Sequence, residues 1–142
     1  MTRTLRERLA SAVNHYPSIL SPLAALALAW VLKHHYSHAS AEGLRWILAP
    51  TTWLTSLFVS GDFAFQAGQG YLSREQSVLI SPACAGVNFL IVALLSLVLG
   101  FSSRFAGLRQ RAHWFAVSVG LAYATTLVVN ALRIGLSIAV AH

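Results

Sequence analysis

A single cysteine, Cys84, stands in the run Pro82-Ala83-Cys84-Ala85-Gly86-Val87-Asn88. A lone cysteine in apolar sequence is by default a small buried hydrophobe. This context adds a second reading. The run places the sulfur at the start of a predicted helix, where free N–H groups and the helix dipole favour a thiolate. One cysteine allows neither an intrachain disulfide nor a Cys-rich zinc site, so any chemistry here is that of a thiol. Gly86 would leave room for a bound chain to approach. Asn88, four residues on, would share the helix face of Cys84 and hold a substrate carbonyl; the other use of its amide is a helix–helix hydrogen bond. The second candidate is Arg133. An arginine beside a membrane span marks a functional site by default, and the competing reading is snorkelling to the headgroups. Asn130, three residues earlier, joins it as a substrate-binding candidate on the same helical side. Facing Cys84, the guanidinium would lower the thiol pKa or hold a developing oxyanion.

A base beside the thiol would complete a nucleophilic site. The histidines are His15, His34, His35, His38, His113 and His142. His113 follows an arginine-rich loop and falls on the wrong side of the membrane. His34, His35 and His38 cluster as metal ligands do, but no Cys, Asp or Glu pattern supports a metal site, and a solvated interfacial loop accounts for them. His142 alone falls near Arg133. Nine residues of unbroken helix would set the two about 13 Å apart and on opposite faces, so they meet only if the helix breaks, with Gly135 the place for it.

These residues need a scaffold, and the composition names its class. Of the 142 residues, 56% are hydrophobic and only 10% charged, with a mean hydropathy of +0.64. An average soluble domain carries roughly 25% charge. A water-soluble globule and a disordered chain are therefore both excluded. The net charge of +6 is scattered rather than gathered on one polar face, so it reads as membrane topology and not as a nucleic-acid surface.

Along the chain, residues 1–16 form a basic segment with Leu5, Leu9 and Val13 at a spacing of four, which predicts an amphipathic helix on the membrane surface. Residues 18–36 read as a retained span rather than a cleaved signal. Residues 44–59 contain Pro50 and are either a short span or a re-entrant helix. Residues 61–83, with Gly68 and Gly70, predict a hairpin-like extended segment outside the bilayer, since an open sheet edge cannot face lipid. Residues 84–101 and 114–129 are strong spans. In the latter, Ala116, Gly120 and Ala124 form a small-residue stripe suited to close helix packing. The loop 102–111 carries Arg104, Arg109 and Arg111 and no acid, a cytoplasmic signal. Residues 61–83, Cys84, Asn130 and Arg133 then lie outside. The N-terminus is outside if 44–59 spans and inside if it does not. The fold class is thus all-α, one integral membrane bundle of three to four spans over residues 1–142, with a short extended outer segment. No internal repeat of the kind common in transporters is present.

The segments Ser81-Pro82-Ala83-Cys84-Ala85-Gly86-Val87-Asn88-Phe89 and Asn130-Ala131-Leu132-Arg133-Ile134 together resemble the exosortase/archaeosortase family, with the small exosortase K type the nearest in pattern. Trp46-Ile47-Leu48-Ala49-Pro50 and Gly70-Tyr71-Leu72-Ser73 extend the similarity over most of residues 36–140. The resemblance implies a membrane cysteine peptidase or transpeptidase of the bacterial inner membrane. Its substrates would be membrane-anchored exported proteins with a C-terminal sorting signal, cleaved at the outer face. Cys84 matches the family's nucleophile and Arg133 its arginine. The family's third residue, usually a histidine, normally lies beyond a further loop; here it is either His142 or a residue beyond position 142. No metal or organic cofactor is implied. The alternative is a non-catalytic membrane scaffold or subunit of an export or exopolysaccharide system.

Overall fold

The computed structural model describes residues 2–141, with side chains for residues 19–141. Four helices and one small sheet follow in the order α1 (Thr2–His38), α2 (Arg45–Ser56), β1 (Ala64–Gln66), β2 (Gly70–Ser73), β3 (Val78–Ile80), α3 (Val87–Phe101) and α4 (Leu108–Ala141). The chain is mostly helical. Two segments, Pro82–Arg104 and Leu108–Ala141, are long and apolar enough to cross a membrane. The backbone expected to be a separate surface helix over 1–16 is continuous with α1; its amphipathic face falls on side chains outside the described residues.

The helices pack through one narrow row each. On α3, Val87, Leu90, Leu94 and Val98 are buried, a three-four-four spacing that keeps one stripe inward. On α4 the buried row is Ser118, Ala122, Thr126, Asn130, Ile134 and Ile138, repeating every four residues. The packing stripe is therefore not Ala116, Gly120 and Ala124, which are exposed. The two rows have the same period but stand two residues apart, about 200° round the helix. Spacing alone cannot choose between them. Facing outward instead are large apolar side chains, among them Leu23, Leu26 and Trp30 on α1, Val92 and Leu99 on α3, and Leu132 and Leu136 on α4. So extended an apolar surface suits lipid and not water.

Two contacts give the relative direction of the helices. Near the end of α1, Lys33 Nζ donates to Asn88 Oδ1 at the start of α3, at 2.9 Å. Further back, Leu20 and Ser21 of α1 share a cavity with Leu108, Arg111 and Phe115 of α4. The loop between α3 and α4 thus lies beside the earlier part of α1. The sheet, α2, Cys84 and the end of α4 gather at the opposite end.

α2 has twelve residues, about 18 Å of helix, well short of the roughly 30 Å hydrocarbon core. Of the two readings for 44–59, the re-entrant or interfacial one matches this length. Its buried side carries Ile47, Leu48, Thr51, Thr52 and Thr55. The hydroxyls of Thr51 and Thr55 donate back to the carbonyls of Ile47 and Thr51, at 2.7 and 2.9 Å. α2 lies against α4, where Tyr123 donates its hydroxyl to the Trp46 carbonyl at 2.6 Å.

The expected hairpin is a three-stranded antiparallel meander in the order β1-β2-β3. Ala64 pairs with Leu72, and Leu72 with Leu79. The run Val78-Leu79-Ile80, three apolar residues long, supplies the extra strand. Gly70 makes the meander possible: its φ is +123°, and a Cβ there would run into the Ile80 carbonyl. His34, His35 and His38 sit on the closing turns of α1 and not in a loop. His35 Nε2 donates to the Gly43 carbonyl at 3.2 Å and His38 Nδ1 to the His34 carbonyl at 2.9 Å.

The sheet is tied to the α1–α2 corner by charge. Glu42 Oε1 accepts the Gly68 N–H at 2.6 Å, and the Arg45 guanidinium lies 4.5 Å from the centre of the Phe65 ring. Hydrogen bonds from Ser40, from its own backbone and from Gly68, with the Arg45 charge, hold the Glu42 carboxyl below the ordinary glutamate range. A lowered folded-state pKa contributes stability above the unfolded value of about 4.3, lost as pH falls through the folded one. Glu42→Gln should therefore melt below wild type at neutral pH, and the gap should close under acid. Melting curves of both proteins across pH check this; a gap that widens on acidification would contradict it.

Candidate active site

Cys84 does not stand in the first turn of a long helix. Pro82–Cys84 is a single 3-10 turn, closed by Cys84 N–H to the Ser81 carbonyl at 2.8 Å and Ala85 N–H to the Pro82 carbonyl at 3.0 Å. Proline suits the first position of such a turn because its φ is already helical and its missing N–H is not needed. α3 begins three residues later, after Gly86 at φ +71° in the left-handed region. Only glycine takes that conformation cheaply. The break separates Cys84 from α3, and Asn88 does not line the cavity that holds the sulfur. Asn88 is exposed and engaged by Lys33.

The space that Gly86 opens is used by the protein itself. A Cβ there would stand 3.2 Å from the Asn130 side-chain amide and 3.4 Å from Thr126 Cγ2. Across this gap Asn130, buried on α4, donates its amide to the Cys84 carbonyl. Asn130 does not line the cavity beside the sulfur. It is a positioning residue, holding the cysteine turn against α4 from behind.

Cys84 and Arg133 line one cavity of about 210 Å³. Its other walls are β3 and the last turns of α4, through Ile134, Ser137, Ile138 and Ala141. Arg133 is exposed and Cys84 is half-buried. The guanidinium is the one charged group among the described lining residues. Arg133, Ser137 and Ala141 recur every four residues, so the cavity runs along α4. All three residues of β3 line it. Side chains alternate across a strand, so a cavity touching three in succession lies along the strand's edge. In the sheet order β3 has a neighbour on one side only, so its outer edge carries unpaired backbone groups.

Sequence reasoning missed three contributors. Ser81 Oγ lies 4.0 Å from Cys84 Sγ, Ser137 donates to the Arg133 carbonyl at 2.8 Å, and β3 forms a wall. Ser81 was visible as the residue leading into a Pro-initiated turn. The wall made by β3 depends on strand pairing, and the place of Ser137 in the cavity depends on how α4 docks. No histidine among the described residues lines the cavity. α4 runs unbroken through Gly135, where an added Cβ would stand 3.8 Å from Phe58 and Val59, so the break that would bring the chain end back to Arg133 does not occur there. His142 lies outside the described residues. Among the described residues no three His, Cys, Asp or Glu side chains gather as a metal site requires. In comparisons with known proteins, no family model, curated protein or solved structure matches the chain.

Asn130 yields a test of this geometry. Asn130→Ala should lower stability by about 0.5–1.5 kcal/mol, the net contribution of one hydrogen bond. Asn130→Asp, ionised, should be worse, because it sets an acceptor against an acceptor. Thermal unfolding in detergent ranks the variants. Equal stability of all three proteins would mean that the contact does not hold the turn.

Proposed function

We propose that this chain is a membrane-embedded cysteine peptidase or transpeptidase, exosortase-like, that cleaves C-terminal sorting signals of exported proteins at the outer face of the cytoplasmic membrane. The observation that carries the reading is the cavity shared by Cys84 and Arg133. It sits at the opposite end of the bundle from the arginine loop, and so at the face where an exported substrate is presented.

The chemistry follows from the residues. The Cys84 thiolate attacks the scissile carbonyl carbon, and the carbonyl electrons move to oxygen. Arg133 offers that oxyanion a planar fork of donors. As the tetrahedral species collapses, the C–N bond breaks and the departing amine takes a proton from the general acid. A thioester on Cys84 remains, and an amine, hydroxyl or water then resolves it. The resemblance assigns the proton transfer to a histidine, His142 or one beyond position 142. The substrate enters as an extended segment along the open edge of β3, with apolar side chains against Ile134 and Ile138.

We read three spans, from α1, α3 and α4. With α2 too short to cross, Arg3, Arg6 and Arg8 fall on the same side as Arg104, Arg109 and Arg111. That agrees with the excess of basic residues on the cytoplasmic side of membrane proteins. Single cysteines placed at Ala106 and Gln69 in a Cys84→Ser background test this arrangement. Residue 69 should react with an impermeant thiol reagent in intact cells, and residue 106 only after permeabilisation. Labelling of residue 106 from outside would refute the topology.

Activity separates the enzyme from a scaffold. With a sorting-signal reporter and equal membrane abundance, Cys84→Ser should nearly abolish cleavage. Arg133→Lys keeps the charge but loses the fork, and should cost on the order of a hundredfold in rate. Loss in Cys84→Ser with full activity in Arg133→Lys would refute the oxyanion role alone. Full activity in both would leave the scaffold reading.

A further inference from the structure

At the end of the bundle opposite Cys84 lies a cavity of about 760 Å³, between the Ser102–Arg104 turn and the first turns of α4. Arg104, Arg109 and His113 bring basic side chains to it, Gln110 an amide, and Phe105 and Trp114 aromatic rings. No Asp or Glu lines it. Glu42, Asp62 and Glu75, the acids with described side chains, all belong to the sheet end.

The wall is fixed before anything binds. The Trp114 indole N–H donates to the Leu97 carbonyl at 3.2 Å. Its ring stacks on Phe105 at 5.4 Å and tilts against Phe101 at 5.6 Å. Arg111, in the first turn of α4, is not part of this set, since its Nε is spent on the Phe105 carbonyl at 2.6 Å. Arginines that only mark topology need no cavity. These two and His113 surround a preformed one, with aromatic rings at the level where rings favour the membrane interface.

The cavity leads onto an apolar track. The α4 side carrying Gln110, His113 and Trp114 continues at a helical spacing as Val117, Leu121 and Val128. Leu121 and Val128 are 46% and 50% exposed. Beside them Ala116, Gly120 and Ala124 are exposed and leave a shallow trough; nothing lies within 4 Å of where a Cβ on Gly120 would stand. A cationic cavity opening onto an apolar trough has the shape of an amphiphile, not of a free ion.

We propose that this corner is a specific site for an anionic phospholipid, its phosphate held by Arg104, Arg109 and His113 and one acyl chain laid along the Ala116–Gly120–Ala124 trough. The site needs neither the cysteine nor the peptidase reading. It would anchor the α3–α4 loop at the inner headgroup layer and hold α4 at a set depth.

The test uses the full chain in phosphatidylcholine vesicles carrying spin-labelled phosphatidylglycerol or, separately, spin-labelled phosphatidylcholine. The motion-restricted signal gives the preference of the protein for the anionic lipid. Wild type should prefer phosphatidylglycerol. Arg104→Gln and Arg109→Gln should each reduce the preference by up to about fivefold, and the pair should abolish it. The pair Arg104→Lys with Arg109→Lys should keep part of it and serves if the glutamine pair does not fold. Gly120→Leu, which fills the trough, should also lower it, while Arg74→Gln at the far end should not. No preference in wild type, or an unchanged one in the arginine variants, would overturn the site. Displacement of the labelled lipid by inorganic phosphate would overturn the lipid assignment in favour of a free anion.

Discussion

One hydrogen bond, from the Asn130 amide to the carbonyl of Cys84, ties the cysteine turn to α4. On one side of it are the sheet and the 3-10 turn, on the other the long α4. α3 does not satisfy that carbonyl, because Gly86 turns the backbone away before that helix starts. The left-handed Gly86 and the small Thr126 give Asn130 room to approach. The position of the sulfur relative to Arg133 follows, since Arg133 lies less than one helical turn beyond Asn130.

α4 then acts as a ruler. His113, at the basic corner, and Arg133, beside Cys84, are separated by twenty residues, or about 30 Å of helix. That is the thickness of a bilayer's hydrocarbon core. The residues between them carry no charge. The same helix therefore sets the depth of both ends. The described acids cluster with the sheet, and Arg104, with Arg109 and Arg111 at the start of α4, clusters at the opposite end. Charge segregation along the bundle and helix length make the same division.

The sheet end has its own internal logic. A meander of strands three or four residues long is too small to be stable alone. It is held by Glu42 to Gly68, by Arg45 over Phe65 and by Gly70 closing on Ile80. Being held there, β3 can present its open edge to the cavity without the sheet fraying.

Much of this was legible in the residues. Low charge with high apolar content demands lipid-facing helices. The acid-free arginine loop marks one end, and the glycine-punctuated stretch 61–83 marks an excursion at the other. Cys84, Asn130 and Arg133 stood out because polar groups beside apolar spans are costly to keep. Periodicity could not say which of two rows on α4 faces inward, because rows offset by two residues share one period. Nor could the sequence show that Gly86 separates Cys84 from α3, or that Asn130 serves the cysteine backbone rather than a ligand. Those outcomes depend on which surfaces dock, and docking is set by close approach between residues distant in the chain. Local sequence determined the elements and their polarity; only the packing of α4 on the cysteine turn decided which side chains share a cavity.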